Sequence, residues 1–179
     1  GIATEVLQRL ENTILIAEHQ SRLAQHLQNV NAEDRANLDE LQTNILALLT
    51  NIIRRAGPNI APISDNLMTM FLRMLNEQGG QDDKEDVLIA ILGLASSLGP
   101  NFSNYMQAFE PYLTKALVNT ESPTCNVAVG LVADLSQALG EGILPYLLGF
   151  LSILGGNLNN SEVRRDLRPV LLSCFGDVA

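Results

Sequence analysis

A glycine-containing turn recurs along the chain at nearly constant spacing. It reads Arg-Ala-Gly-Pro-Asn-Ile, then Ser-Leu-Gly-Pro-Asn-Phe, then Ala-Leu-Gly-Glu-Gly-Ile, with its first glycine at Gly57, Gly99 and Gly140. The steps between these glycines are 42 and 41 residues. Apolar residues at three- and four-residue spacing lie on both sides of each turn, which is the pattern of amphipathic helices. Together these features predict an all-α solenoid built from antiparallel helix pairs.

The repeat organises the whole chain as one helical array. We expect the second helix of a partial repeat at residues 1–30, full repeats at 31–79, 80–120 and 121–159, and the first helix of another partial repeat at 160–179. Stacking supplies the core, because one helix pair cannot bury its own apolar face. Both ends of the chain lie inside a helical pattern, so we expect a piece of a longer array. Pro111 predicts a kink or a break within its helix.

Composition limits the functions open to such a chain. There are 20 acidic and 11 basic residues, and the net charge is −9. This balance argues against nucleic-acid binding, which needs a cationic surface, and favours a basic partner. The apolar stretches are short and interrupted, which argues against insertion into a membrane. Cys125 and Cys174 lie in apolar helical patterns and predict buried thiols in a reducing compartment.

No residue pattern indicates catalysis. Both histidines, His19 and His26, fall in the first predicted helix, so no Ser-His-Asp or Cys-His arrangement is supported. The pairs Gly79-Gly80 and Gly155-Gly156 lack the lysine and the strand of a phosphate-binding loop. We therefore expect no enzyme activity, no catalytic residue, no metal and no cofactor.

Three longer stretches carry a family resemblance. They are Asn-Tyr-Met-Gln-Ala-Phe-Glu-Pro-Tyr-Leu at 104–113, Ala-Val-Gly-Leu-Val-Ala-Asp-Leu at 128–135, and Arg-Pro-Val-Leu-Leu-Ser-Cys-Phe-Gly-Asp-Val-Ala at 168–179. They resemble the central part of the importin-β, or karyopherin-β, family. The resemblance implies HEAT repeats, with the first (A) helix of each pair on the convex side and the second (B) helix on the concave side. It places the B helices near Thr4, Ile60, Phe102 and Ile143.

The same resemblance implies a function in nuclear protein import. The concave side would bind basic cargo or the importin-α adaptor, under regulation by RanGTP, and the convex side of some repeats would bind phenylalanine-glycine nucleoporins. The protein would shuttle between cytoplasm and nucleus. A HEAT-repeat scaffold subunit of a phosphatase or a chromosome-organising assembly would share the fold without Ran dependence, and the residues leave this alternative open.

Polar residues on the B helices and their adjoining turns are the candidate partner-binding residues. They are Asp65, Asn66, Glu77, Asn104, Gln107, Glu110, Glu121 and Glu141. The carboxylates would attract a basic partner and speed its association in a salt-dependent way, and the amides would hydrogen-bond an extended partner backbone. A solvated polar face is the other interpretation. Asp134 and Asp177 lie in apolar A-helix segments, so we expect them to be buried structural carboxylates with partners of their own.

Overall fold

The computed structural model describes residues 32–76 and 81–159, together with residues 5, 8–10, 12, 13, 15, 16 and 19, which are helical. No strand occurs in these residues, and the all-α prediction is confirmed. The two long ranges contain, in order, α1 (Ala32–Ala56), a 3₁₀ helix (Gly57–Ile63), α2 (Ser64–Asn76), α3 (Gln81–Leu98), a 3₁₀ helix (Gly99–Phe102), α4 (Ser103–Val118), α5 (Thr124–Leu139), a 3₁₀ helix (Gly140–Ile143) and α6 (Leu144–Asn159).

The helices alternate as the repeat pattern requires. The helices α1, α3 and α5 precede the three glycine turns and are the A helices, while α2, α4 and α6 follow the turns and are the B helices. The B helix predicted near Ile60 is α2, which begins at Ser64. The residues from Gly57 to Ile63 form the 3₁₀ helix before it.

Three glycines with left-handed backbone angles produce the turns inside the repeats. Gly57, Gly99 and Gly140 have φ angles of 52°, 55° and 53°. Each stands where an A helix ends and a 3₁₀ helix begins. A side chain with a Cβ is disfavoured at such angles, so the recurrence of glycine is a requirement of the backbone.

The backbone forms two compact units, Gly1–Ser97 and Leu98–Ala179. In the first unit α3 lies directly against α1. The Ser97 hydroxyl donates within hydrogen-bond distance of two carbonyl oxygens, that of Gly93 in its own helix at 2.9 Å and that of Ile53 in α1 at 3.2 Å. A Cβ added at the buried Gly93 would lie 3.5 Å from Cγ2 of Thr50. The A helices of successive repeats are therefore packed neighbours, and a side-chain hydrogen bond links them.

In the second unit α4 packs against both α5 and α6. The helices α4 and α6 run parallel, because they meet at both ends. A Cβ added at Gly142 would lie 3.1 Å from Cβ of Ser103 at their starts, and the Asn157 side-chain amide donates to the Leu117 carbonyl oxygen at 2.9 Å near their ends. The buried Cys125 thiol lies 3.5 Å from the same carbonyl oxygen. Side chains thus satisfy a helix-terminal carbonyl that has no partner within its own helix.

The buried side chains repeat with the same period as the turns. Large apolar residues stand three, ten and fourteen positions after each turn glycine, and all of them are buried: Ile60, Leu67 and Phe71; Phe102, Phe109 and Leu113; Ile143, Phe150 and Leu154. In the second unit the rings of Phe102 and Phe109 meet edge to face, with centroids 6.4 Å apart and planes at 80°, a geometry that aromatic pairs prefer. The core of each B helix is therefore built on one shared register.

Of the kink or break predicted at Pro111, the break does not occur, since α4 continues through it from Ser103 to Val118. The kink stays a prediction. Pro111 lies on the exposed side of the helix. The helix there loses the hydrogen bond that the missing N–H would have donated to the carbonyl oxygen of Gln107.

Two stretches of the described chain, Lys84–Val118 and Thr124–Asn159, have the length and composition of membrane spans, with mean hydropathies of 1.3 and 1.5. Each is interrupted by a glycine with positive φ, Gly99 or Gly140. The first stretch contains residues 84–98 of α3, which is 15 residues, and all 16 residues of α4, and the second contains α5 and α6 with 16 residues each. Each is shorter than the roughly 20 residues that a span needs. We therefore interpret both stretches as pairs of repeat helices.

We expect Gly140→Ala to lower the free energy of unfolding by about 1–3 kcal/mol, because its φ of 53° and ψ of −124° are a backbone conformation that residues with a Cβ rarely adopt. A Cβ at Gly140 meets no atom within 4 Å, so the change tests the backbone angle alone. The matched control is Gly130→Ala inside α5, where a Cβ also meets no atom within 4 Å and alanine should raise stability by about 0.5–1 kcal/mol. Denaturant unfolding measures both, and equal effects of the two substitutions would contradict the turn's role.

Candidate partner-binding face

Each described B helix exposes the same register positions to solvent. Counted from the turn glycine, the residues five, eight, nine and twelve positions further on are exposed in all three repeats: Pro62, Asp65, Asn66 and Thr69; Asn104, Gln107, Ala108 and Pro111; Pro145, Leu148, Gly149 and Ser152. Spacings of three and four residues place each set on one side of its helix. These twelve positions are named the B-helix stripe.

Four of the predicted partner-binding residues belong to the B-helix stripe. Asp65 and Asn66 stand eight and nine residues after Gly57, in the first unit. Asn104 and Gln107 stand five and eight residues after Gly99, on α4 in the second unit. The exposed amides can donate and accept hydrogen bonds, and the exposed carboxylate can accept them.

The other predicted residues lie outside the stripe or outside the described ranges. Glu121 is exposed in the turn after α4, and Glu141 is exposed in the 3₁₀ helix before α6. Glu110 is half-buried, and its Oε1 accepts a hydrogen bond from the Thr114 hydroxyl at 2.7 Å, so it is less available to a partner. Glu77 lies outside the described residues.

The second unit brings part of this set together. The approach of Gly142 to Ser103, at 3.1 Å for an added Cβ, places their sequence neighbours Glu141 and Asn104 at adjoining helix starts. The described residues of this unit contain four carboxylates, at Glu110, Glu121, Asp134 and Glu141, against a single basic side chain, Lys115. Its described surface is therefore predominantly anionic.

Two leucines on this face were not among the predicted site residues. The exposed fractions of Leu144 and Leu148 are 56% and 80%. Sequence reasoning assigned apolar residues of helices to the core, which is the usual location. A signal was nevertheless present, because Leu148 stands eight positions after its turn glycine, as Asp65 and Gln107 do.

The prediction that Asp134 is a buried structural carboxylate is wrong, because its side chain is exposed. The adjacent residues Ala133 and Leu135 are apolar and buried, but each is rotated about 100° around α5 from Asp134. Asp134 shares its own side with the exposed Gln137 and the half-buried Gly130, three and four residues away. Asp177 lies outside the described residues.

Comparison with known proteins gives a consistent family. A family model described as importin subunit beta-1-like, TPR repeats, matches residues 1–179. Importin subunit beta-1 of Saccharomyces cerevisiae is 38% identical over 179 residues, which is 100% of this chain and 20% of that protein. Importin subunit beta-1 of Schizosaccharomyces pombe is 41% identical over 169 residues, covering 93% of this chain and 20% of that protein. The chain thus spans about one fifth of the length of these relatives.

Solved structures agree in fold. Yeast importin-beta (Kap95p) superposes with a TM-score of 0.81 at 37% identity, over 99% of this chain and 20% of that one. A Kap95 complex with Nup1 gives a TM-score of 0.80 at 37% identity, with the same coverage. A structure in which Kap95p binding induces the switch loops of RanGDP to adopt the GTP-bound conformation gives 0.70 at 37% identity, again over 99% and 20%.

The repeats are of the HEAT type, although the matching family model describes them as TPR. Both types are helix pairs, and their repeat lengths separate them. The steps of 42 and 41 residues between turn glycines agree with the period of roughly 40–47 residues in HEAT arrays and exceed the roughly 34 of TPR arrays. The predicted α-solenoid of HEAT repeats is confirmed.

We expect Asn157→Ala to lower the free energy of unfolding by about 1 kcal/mol, because α6 loses its hydrogen bond to the end of α4. Asn159→Ala is the control, since Asn159 is exposed two residues further along the same helix. Urea unfolding monitored by circular dichroism measures the difference. Equal midpoints for the two variants would show that the Asn157 hydrogen bond contributes nothing.

Proposed function

The chain belongs to the importin subunit beta-1 family, and we propose that it forms a central part of a nuclear transport receptor that binds basic cargo or the importin-α adaptor. The B-helix stripe is the proposed binding surface. The observation that carries this proposal is the shared register, which exposes Asp65 and Gln107 at equivalent positions of successive B helices. A chain that spans one fifth of its relatives' length would supply only part of the receptor's surface.

Electrostatic attraction and backbone recognition would act together on this stripe and on the turns that adjoin its helices. The net charge of −9 and the exposed carboxylates Asp65, Glu121 and Glu141 attract a basic segment and raise its rate of association. Within the first unit the side-chain amide of Asn66, and within the second unit those of Asn104 and Gln107, could each hydrogen-bond the backbone of a bound segment. The proposed activity is binding without a chemical step.

The relatives suggest two further partners. Kap95, which this chain resembles, has been solved with Nup1 and in a complex concerning RanGDP. We extend both partners to the protein that contains this chain, with RanGTP binding remodelling the array and releasing the adaptor, and with phenylalanine-glycine nucleoporins binding on the A-helix side. Such remodelling needs only small changes between neighbouring repeats, because these add up along the array. The receptor would shuttle between cytoplasm and nucleus.

We expect the double variant Asp65→Lys with Glu141→Lys in the full-length receptor to bind a basic adaptor peptide about tenfold more weakly at low salt, a loss of about 1.4 kcal/mol. The matched control is Glu40→Lys with Asp134→Lys, which makes the same change in net charge at two exposed A-helix carboxylates. Fluorescence anisotropy titrations measure both. The difference should shrink toward 1 M salt, where the Debye length falls to about 3 Å.

Two results would contradict the proposed function. Equal losses for the two double variants would mean that net charge, and not the B-helix stripe with its adjoining turns, attracts the peptide. Retention of the adaptor by the wild-type receptor in saturating RanGTP would indicate a HEAT-repeat scaffold of another complex.

A further inference from the structure

We propose that the end of α1, with the adjoining part of α3, binds an acidic segment of a partner protein, and that the guanidinium groups of Arg54 and Arg55 pair with its carboxylates. This surface lies on the A helices of the first unit. The inference therefore does not rest on the proposed function, which concerns the B-helix stripe. It assigns a site for anionic side chains to a chain whose net charge is −9.

The basic end of α1 lies in a part of the sequence without carboxylates. Residues 41–64 contain Arg54 and Arg55 but no aspartate or glutamate, and residues 87–109 contain no charged residue at all. The nearest acidic residue on α1 is Glu40, fourteen residues before Arg54, which is about 21 Å at a rise of 1.5 Å per residue. This distance exceeds the Debye length of about 8 Å at physiological salt. The acidic start of α1 is therefore screened from the two arginines.

Arg54 is packed against the neighbouring A helix. A Cβ added at the buried Gly93 of α3 would lie 3.7 Å from both Cγ and Nε of Arg54, so the arginine stem fills the gap that the glycine leaves. Packing of the stem restricts the rotamers of Arg54, and less entropy is then lost when its guanidinium binds a ligand. Asp86, the nearest acidic residue on α3, stands seven residues before Gly93, about 10 Å along the helix.

The guanidinium groups have no acceptor in the protein itself. Both arginine side chains are exposed, and neither has a hydrogen-bond or ion-pair partner in the described part of the chain. Basic residues in the last turn of a helix interact favourably with its dipole, but that interaction leaves the five N–H donors of each guanidinium without an acceptor other than water. A carboxylate can accept two of these donors in a bidentate pair.

The exposure of Arg54 is a property of the repeat. The residue three positions before the turn glycine is exposed in all three described repeats, as Arg54, Ser96 and Gln137. Ser96 stays exposed although α1 of the preceding repeat packs against its helix. A further A helix packed on α1 in the same way would therefore leave Arg54 exposed. Arg55 corresponds to the half-buried Ser97, at the edge of such a contact, from which a long side chain reaches water.

The size and sign of this charged surface select the occupant. In an extended segment, two carboxylates two residues apart lie on one side of the backbone, about 7 Å from each other, so one segment can supply both guanidinium groups. Ser96, one turn after Gly93 on the same side of α3, adds a hydroxyl donor. A nucleic acid or an anionic membrane surface fits poorly, because its extended charge would also meet the carboxylates that give the chain its net charge of −9.

Two synthetic peptides of equal length test the proposal with the full-length receptor. One carries two glutamates two residues apart, and the other carries glutamine at both positions. In fluorescence anisotropy titrations at physiological salt, we expect Arg54→Gln with Arg55→Gln to weaken binding of the glutamate peptide about fivefold, as the loss of two exposed ion pairs implies. The matched control is Lys84→Gln with Lys115→Gln, which removes the same charge at basic side chains elsewhere in the chain and should change binding little.

A second double variant, Arg54→Lys with Arg55→Lys, keeps the charge and removes the planar fork. We expect it to bind the glutamate peptide about twofold more weakly than the wild type, because lysine cannot form the bidentate pair. Binding as strong as that of the wild type would overturn bidentate recognition. Both arginine variants should bind a basic adaptor peptide as the wild type does, since that peptide is assigned to the B-helix stripe.

The remaining outcomes would also contradict the proposal. If the wild type binds the glutamate and glutamine peptides alike, or binds neither, no carboxylate is recognised. If the arginine and lysine variants with glutamine lose the same affinity, the effect comes from net charge. If the arginine variant with glutamine unfolds at a clearly lower midpoint and the lysine-for-arginine variant binds normally, the arginines have a structural role. Loss of basic-peptide binding by the wild type alone would reject the proposed function and leave this surface standing.

Discussion

The left-handed glycine at the end of each A helix is the constraint on which the rest of the structure depends. With φ near 53° at Gly57, Gly99 and Gly140, the backbone leaves one helix and enters a 3₁₀ helix at a defined residue. Every later position of the B helix is then counted from that glycine. The buried positions and the exposed stripe follow from the same count, so one backbone angle determines both the core and the surface of each repeat.

Apolar packing between repeats is supplemented by polar links that join a side chain of one repeat to a helix carbonyl of the preceding one. Ser97 reaches Ile53 at 3.2 Å in the first unit, and Asn157 reaches Leu117 at 2.9 Å in the second. A single hydrogen bond of this kind contributes little net free energy, about 1 kcal/mol. Its geometry is directional, however, and apolar contacts are not. The links therefore favour one register between neighbouring helices that apolar contact alone would specify loosely.

This arrangement separates the part of the repeat that must stay constant from the part that can vary. The buried positions carry large apolar side chains in every described repeat, such as Leu67, Phe109 and Phe150 ten residues after the turn glycine. The exposed position eight residues after the turn glycine carries an aspartate, a glutamine and a leucine in successive repeats. A helical array built in this way can present different chemistry on each B helix while the backbone stays the same.

The sequence by itself determined the helices, the glycine turns, their period and the family, because these depend on local backbone preference and on apolar spacing along one helix. It also indicated Asp65, Asn66, Asn104 and Gln107 as candidate partner-binding residues, since polar residues stand out on a mainly apolar helix. All four are exposed, and their role in binding stays a prediction. Only the tertiary structure decided that Asp134 is exposed, that Leu148 faces solvent and that α4 continues through Pro111. The physical reason is that burial depends on which side of a helix a neighbouring helix covers. Helical periodicity defines the sides of a helix, but the packing of other helices decides which of them water can reach.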